Sequence, residues 1–343
     1  MKSTTVIQLS DVIRCKFLTT FSIILFASFH LIAQDPIYTQ FYANPIYLNP
    51  ALTGTGECSR IMLNYRNQWP SFDKSFTTYS FAADHYIDAL SGGIGVMVYS
   101  DNAMEVVNTL KVSGTYAYKL TINRDMQLNA GFEVSYYQQK INWDNLIFAD
   151  MIDRTSGTIN PSSSVEVPPD NLTHQVADFS VGLLYGYQEK FYFGVSASHL
   201  TQPNLSYYSN GAESFLYRKY TVHAGGTIKL SDGDYRYGRW AMSIMPMIVY
   251  QQQQNAQQLN FGFNFDMLPL TIGWYYRHNI LNYDAMSFVA GIKQKKFKFG
   301  YSYDLSLSKL KSQSGGSHEI SITFLVNCSK KRNRPGAIKC PEF

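Results

Sequence analysis

The stretch "QLNAGFEVSY" (Gln127–Tyr136) decides the fold. Leu128, Ala130, Phe132, Val134 and Tyr136 fall on one side of an extended chain, and Gln127, Asn129, Gly131, Glu133 and Ser135 on the other. Successive side chains of a strand point to opposite faces, so this stretch reads as a strand with one apolar and one polar face. "KFKFGYSYD" (Lys296–Asp304) repeats the pattern, with Phe297, Phe299, Tyr301 and Tyr303 opposing Lys296, Lys298, Gly300, Ser302 and Asp304. "EISITFLV" (Glu319–Val326) does so again, with Leu325 as the exception.

Outward from these, about fourteen alternating segments fill the chain. They lie near 58–69, 74–87, 91–100, 105–120, 125–139, 176–189, 190–200, 215–230, 238–253, 256–266, 269–278, 282–293, 296–306 and 317–327. Many run to about ten residues or more, longer than the ~5–6 of an ordinary globular strand. No helix of ordinary length is evident. A long all-β meander fits a soluble sandwich or propeller, or a membrane barrel. No repeat of about 20–50 residues supports a propeller. Alternating strands of this length match an outer-membrane barrel, with lipid outside, water inside and every backbone group paired by closure of the sheet.

The connections support the barrel. With the N-terminus on the periplasmic side, the odd-numbered connections face outward. They include the longest, 140–175, and the next longest, 201–214, whereas the breaks Gln188–Lys190 and Gln294–Lys295 face inward. Long outer loops with short inner turns are the asymmetry of such barrels. The inner turn Ser231–Tyr237 is somewhat long for that side. The expected fold is therefore all-β: a transmembrane antiparallel β-barrel of about 14 strands, spanning residues 58–327.

Composition agrees. The chain of 343 residues holds 26 Tyr and 22 Phe, and its net charge is +4. Tyr suits positions with one wet end and one apolar end. A charge so small and scattered does not suit nucleic acid. The one basic cluster, "SKKRNRPGAIK" (Ser329–Lys339), reads as a solvated tail. No run after residue 33 reaches the ~18 apolar residues of a membrane helix.

Residues 1–33 read as a signal peptide: Lys2, Arg14 and Lys16 precede the apolar "FLTTFSIILFASFHLIA", which ends in the small residue Ala33. Cys15 precedes the apolar run, so lipid attachment there is not expected. The mature chain then begins at Gln34 with "QDPIYTQFYANPIYLNPALTG" (Gln34–Gly54). This stretch is rich in aromatics, has neither a helical nor a strand period, and holds Pro36, Pro45 and Pro50. Residues 34–57 are thus a non-strand segment, periplasmic or lumenal, and 328–343 a periplasmic tail.

No catalytic motif emerges. Asp84 and His85 are adjacent on a strand and face opposite ways, and His199, His223, His278 and His318 sit on different strands. No G-x-S-x-G, H-E-x-x-H, phosphate-binding glycine loop or C-x-x-C occurs. Cys58, Cys328 and Cys340 lack metal-ligand spacing. No enzyme, cofactor or metal is expected. In the 140–175 loop, Trp143, Leu146, Ile147 and Phe148 are either the buried side of a lid or a docking surface. Glu133, Lys296, Lys298, Asp304 and Glu319 are candidates to line the lumen.

Six co-linear stretches carry a resemblance: "QDPIYTQFYANPIYLNPALTG", "NYRNQWP" (Asn64–Pro70), "SGGIGVMVYSD" (Ser91–Asp101), "GYSYDLSLSKL" (Gly300–Leu310), "GSHEISITF" (Gly316–Phe324) and "KCPEF" (Lys339–Phe343). Together they resemble the PorP/SprF family, outer-membrane barrels of the type IX secretion and gliding system of Bacteroidota. "NAMEVVN" (Asn102–Asn108) departs from the family's small-residue pattern after "YSD", in an outer loop. The resemblance implies partners: a secreted cargo or surface adhesin with a C-terminal sorting domain, periplasmic components of the system, and outer-membrane lipid. Asp35, Tyr38, Gln40, Phe41, Asn44, Pro45, Asn49 and Pro50 of the N-terminal segment, with Trp143 and Phe148 of the outer loop, are the candidate partner-binding or plug residues. Whether the N-terminal segment plugs the barrel or meets a periplasmic partner is open at this point. Closure brings the chain ends near Cys58 and Cys328 to one rim, so a disulfide between them, or from either to Cys340, is expected. The alternative function is a passive porin.

Overall fold

The structure is a computed structural model. It describes residues 35–326 except 57, 189, 208–212, 235–238, 281 and 308–312. The expected leader 1–33 and tail 328–343, with Cys328 and Cys340, lie outside the described residues. Cys58 is disulfide-bonded.

The strands are β1 (Ser59–Gln68), β2 (Phe76–Ile87), β3 (Gly92–Ala103), β4 (Val107–Thr121), β5 (Met126–Ile141), β6 (Thr173–Tyr187) and β7 (Phe191–Ser198). There follow β8 (Lys219–Gly226), β9 (Ile228–Asp234), β10 (Arg239–Gln253), β11 (Ala256–Met267), β12 (Leu270–Asn279), β13 (Asn282–Lys293), β14 (Phe297–Ser306) and β15 (Ser317–Val326). Each pairs antiparallel with its neighbours. β1 pairs with β15, from Ser59 opposite Val326 to Gln68 opposite Ser317, and this closes the barrel.

β8 and β9 both lie along β10, end to end, and fill one place in the wall, so the barrel has fourteen strand positions. The register is unchanged across their break, with Gly225 opposite Met247 and Ile228 opposite Ile244. At the break the Thr227 N–H donates to the Lys190 carbonyl at 2.8 Å, in register with the β7–β8 pairing. The break at Thr227 divides the 215–230 strand of the sequence reading.

The wall has an inverted distribution of polarity. Outward-facing Phe132, Val134, Ile248, Phe263, Ile272 and Phe288 are exposed, while inward-facing Asn129, Glu133, Asp178, Asn264, Asp304 and Glu319 are buried. A strand with lipid on one side and a filled lumen on the other requires this arrangement. Strands of 15 or 16 residues, as in β4, β5, β6 and β10, exceed the ~9–11 needed to cross the hydrocarbon.

The two ends differ. One carries the long connection between β5 and β6. Pairing of Val107 with Ile141 and of Lys140 with Thr173 extends both strands, so the loop is 142–172 rather than 140–175. The other end carries short turns, at 122–125, 188–190, 268–269 and 294–296. Lys296 is exposed in the last of these and does not line the lumen as expected; Lys298, two residues on, is buried.

Candidate functional site

Residues 35–55 occupy the lumen. Their local structure follows from the prolines. The segment makes three tight turns, Phe41–Ala43, Pro45–Leu48 and Pro50–Leu52, and Pro45 and Pro50 each open one. Proline suits the first helical position, where its missing N–H has no intrahelical partner to lose. Asn49 caps the third turn, its Oδ1 accepting from the Ala51 N–H at 2.9 Å.

The segment runs the length of the barrel. At the long-loop end the Asp35 N–H donates to Gln253 Oε1 (3.0 Å), and the Asp35 carboxylate takes Lys219 Nζ (2.6 Å) and His199 Nε2 (2.9 Å). The other ring nitrogen of His199 meets Asp178 at 2.7 Å. Burial disfavours the charged imidazole of His199, but Asp35 and Asp178 outweigh it and hold its pKa above the ordinary value. At the short-turn end the Gly54 N–H donates to Asp84 Oδ2 (2.7 Å), and Arg60 joins Asp84 to the Leu52 carbonyl (2.9 and 3.1 Å).

Just inside the long-loop end, near the ends of β1, β12 and β14 and the start of β15, lies the densest cluster. The N–H groups of Thr39 and Gln40 donate to the two carboxylate oxygens of Glu319, at 2.7 and 3.0 Å. Arg66 reaches Glu319 (3.0 Å), Asp304 (2.8 Å) and Thr39 Oγ1 (2.9 Å). Arg277 adds a second guanidinium on Asp304 at 3.1 Å. Two cations and two carboxylates thus compensate one another around a peptide backbone, the condition for holding such charges out of water. Deeper, Asn44 bonds Ser80 (2.8 Å), and the Asn49 amide bonds the carbonyls of Leu183 (3.1 Å) and Val195 (3.2 Å).

Aromatic packing fills the remainder. Phe41 and Tyr42 lie against Tyr275, with ring centroids 5.6 and 5.9 Å apart. Tyr47 contacts Tyr38 and Tyr99 (5.1 and 5.6 Å) and carries Lys219 Nζ 4.5 Å above its ring. Close approach is possible because the wall is bare where the segment touches it. A Cβ at Gly131 would overlap the Pro50–Ala51 peptide, and one at Gly93 would overlap Thr53 and Gly54.

Asp35, Tyr38, Gln40, Phe41, Asn44, Pro45, Asn49 and Pro50 are all buried in the lumen. Trp143 and Phe148 lie apart from them in the 142–172 loop, packed on each other at 5.1 Å. Sequence reasoning did not single out Arg66, Arg277, Asp178 or Lys219, and took His199 only as one of several dispersed histidines. Their signal is only that each falls near or on the polar face of a strand, and nothing local pairs them with residues 21 to 253 positions away. Among the described residues no set of His, Cys, Asp and Glu side chains is arranged to hold a metal ion.

The family model described as "Type IX secretion system membrane protein PorP/SprF" matches residues 31–324. No curated protein matches. Among solved structures, the Acinetobacter baumannii outer membrane protein Omp33 is similar at 9% identity and TM-score 0.44, over 78% of this chain and 97% of that one. A Pseudomonas aeruginosa FadL homologue is similar at 11% identity and TM-score 0.46, over 81% and 93%. The CymD monoaromatic hydrocarbon channel is similar at 12% identity and TM-score 0.43, over 84% and 94%.

Proposed function

Since the chain belongs to the PorP/SprF family of type IX secretion system membrane proteins, we propose that it is a plugged anchor that holds a secreted protein at the cell surface. It is an outer-membrane protein. The secreted partner is an adhesin or a cargo with a C-terminal sorting domain, engaged at the long-loop end, and the short-turn end meets the periplasmic machinery. No step of this role calls for catalysis.

The observation that carries the reading is the filled lumen. A passive porin needs a continuous aqueous path. Here the wall carboxylates are engaged: Glu319 and Asp304 grip the threaded segment, and Glu133 is paired with Lys111. A barrel filled by its own chain suits anchoring better than conduction. The 142–172 loop supports an external partner, since it leaves Ile147, Ile152, Val165 and Val167 exposed at that end.

Two measurements test this. In planar bilayers the full protein should be silent, whereas a steady open conductance would favour the porin. Deleting the gene should abolish surface display of one secreted protein, and an unchanged surface proteome would overturn the anchoring role.

A further inference from the structure

At the long-loop end the lumen opens into a cavity of about 220 Å³. Asp35, Pro36 and Ile37 line it from the threaded segment, and Gln68, Trp69, Gln251, Gln257, Gln258 and Asn279 from the barrel. We propose that this cavity is a binding site for a neutral saccharide. The inference is independent of the anchoring role.

Three observations converge. First, the side-chain amides of Gln68, Gln258 and Asn279 have no hydrogen-bond partner among the described residues, although all three side chains are half-buried. Each carboxamide presents a donor and an acceptor together, which matches the paired donor and acceptor character of adjacent sugar hydroxyls. Second, the cations beside them are already committed. Lys219 is held by Asp35 at 2.6 Å, and Arg277 is shared between Asp284 (2.6 Å) and Asp304 (3.1 Å). The lining therefore offers an anionic ligand no uncommitted cation among the described residues. Third, Trp69 stands in the lining with a backbone φ of 62°. A bulky residue in the left-handed region is strained, and such strain persists where surrounding structure holds it. Here the Trp69 N–H donates to the Gly316 carbonyl (2.8 Å) and its ring meets Phe76 edge-on at 5.4 Å.

An indole beside a ring of uncommitted amides is suited to a sugar, whose C–H face stacks on the aromatic while its hydroxyls meet the amides. The volume corresponds to about seven waters at ~30 Å³ each, enough for one sugar ring. The sugar could reach this mouth from lipopolysaccharide or from a glycosylated surface protein.

Calorimetry on the full protein in a non-glycosidic detergent tests the proposal. Maltotriose and N,N′-diacetylchitobiose serve as neutral probes, trigalacturonate as an acidic one and an uncharged Gly-Ser-Asn peptide as a control. At least one neutral saccharide should bind saturably, and at least tenfold more tightly than the acidic probe or the peptide. Gln68→Ala and Gln258→Ala should each weaken that binding at least threefold while the barrel keeps its heat-modifiable migration. No saturable binding by either neutral probe, binding untouched by both variants, or equal binding of the acid or peptide would overturn it. Competition with polysaccharide released from the cell's own lipopolysaccharide, and with glycan released from its surface proteins, assigns the source. Failure of both to compete also counts against the site.

Discussion

At position 66 one guanidinium serves three groups, Glu319, Asp304 and the Thr39 hydroxyl, with the side chains of Arg66, Asp304 and Glu319 no more than 3% exposed. Arg66→Ala would leave two carboxylates together with only Arg277 to compensate them. Breaking a buried pair from one side costs ~3–5 kcal/mol, so the urea midpoint of the purified barrel should fall markedly. Arg66→Lys keeps the charge but loses the planar fork, and should recover only part of the loss. His199 gives a different signature. Its pKa is raised by Asp35 and Asp178 against the cost of burial, so its stabilising contribution is complete below the ordinary histidine range. That contribution is lost as pH rises through the raised value. Hydrogen exchange at Asp35, Ile37 and Tyr38 should accordingly quicken as pH rises above the ordinary histidine range, and His199→Gln should flatten the dependence. Exchange that is independent of pH, after correction for the intrinsic rate, would remove His199 from this role.

Among the elements, the threaded segment and the wall were unequally legible. The alternation of Gln127–Tyr136 reports its faces directly, because lipid lies on one side of β5 and the filled lumen on the other. Even the β8–β9 break escaped notice for a physical reason: Tyr220, Val222, Ile228 and Leu230 keep the outward phase across it. For the segment, the sequence showed turn-forming Asn-Pro pairs and many rings, but not their destination. Thr39 and Glu319 are 280 residues apart, and no local pattern encodes that meeting. The match between segment and wall can be tested at Gly131. Gly131→Leu puts a side chain where the Pro50–Ala51 peptide lies, and overpacking of this kind costs ~1–3 kcal/mol. The segment should become sensitive to added protease while the barrel retains its heat-modifiable mobility. Loss of the folded band instead would mean that segment and wall are not separable.

For the whole molecule, the direction of threading matters. Asp35 lies at the long-loop end and Gly54 at the short-turn end, from which β1 sets out. With long loops outward, Asp35 faces the exterior. An epitope inserted between Gln34 and Asp35 should therefore be reached by antibody on intact cells, and a tag detectable only after lysis would reverse the assignment. Removing 35–54 should convert a silent barrel into a conducting one, since the space filled by Phe41, Tyr42, Ile46 and Leu52 would pass to water.

The seam between β1 and β15 joins the earliest strand to the latest, ten paired residues along each. A segment bearing Phe41, Tyr42 and Tyr47 cannot easily be pushed through a finished ring whose wall already fits closely around it. The order of biogenesis follows. The segment 35–54 must lie in place while the cylinder is still open, and the last strand made then fastens the loop around it. The protein thus resembles a lasso drawn tight on a stretch of its own chain, and closure serves as a checkpoint that only a correctly laid segment can pass.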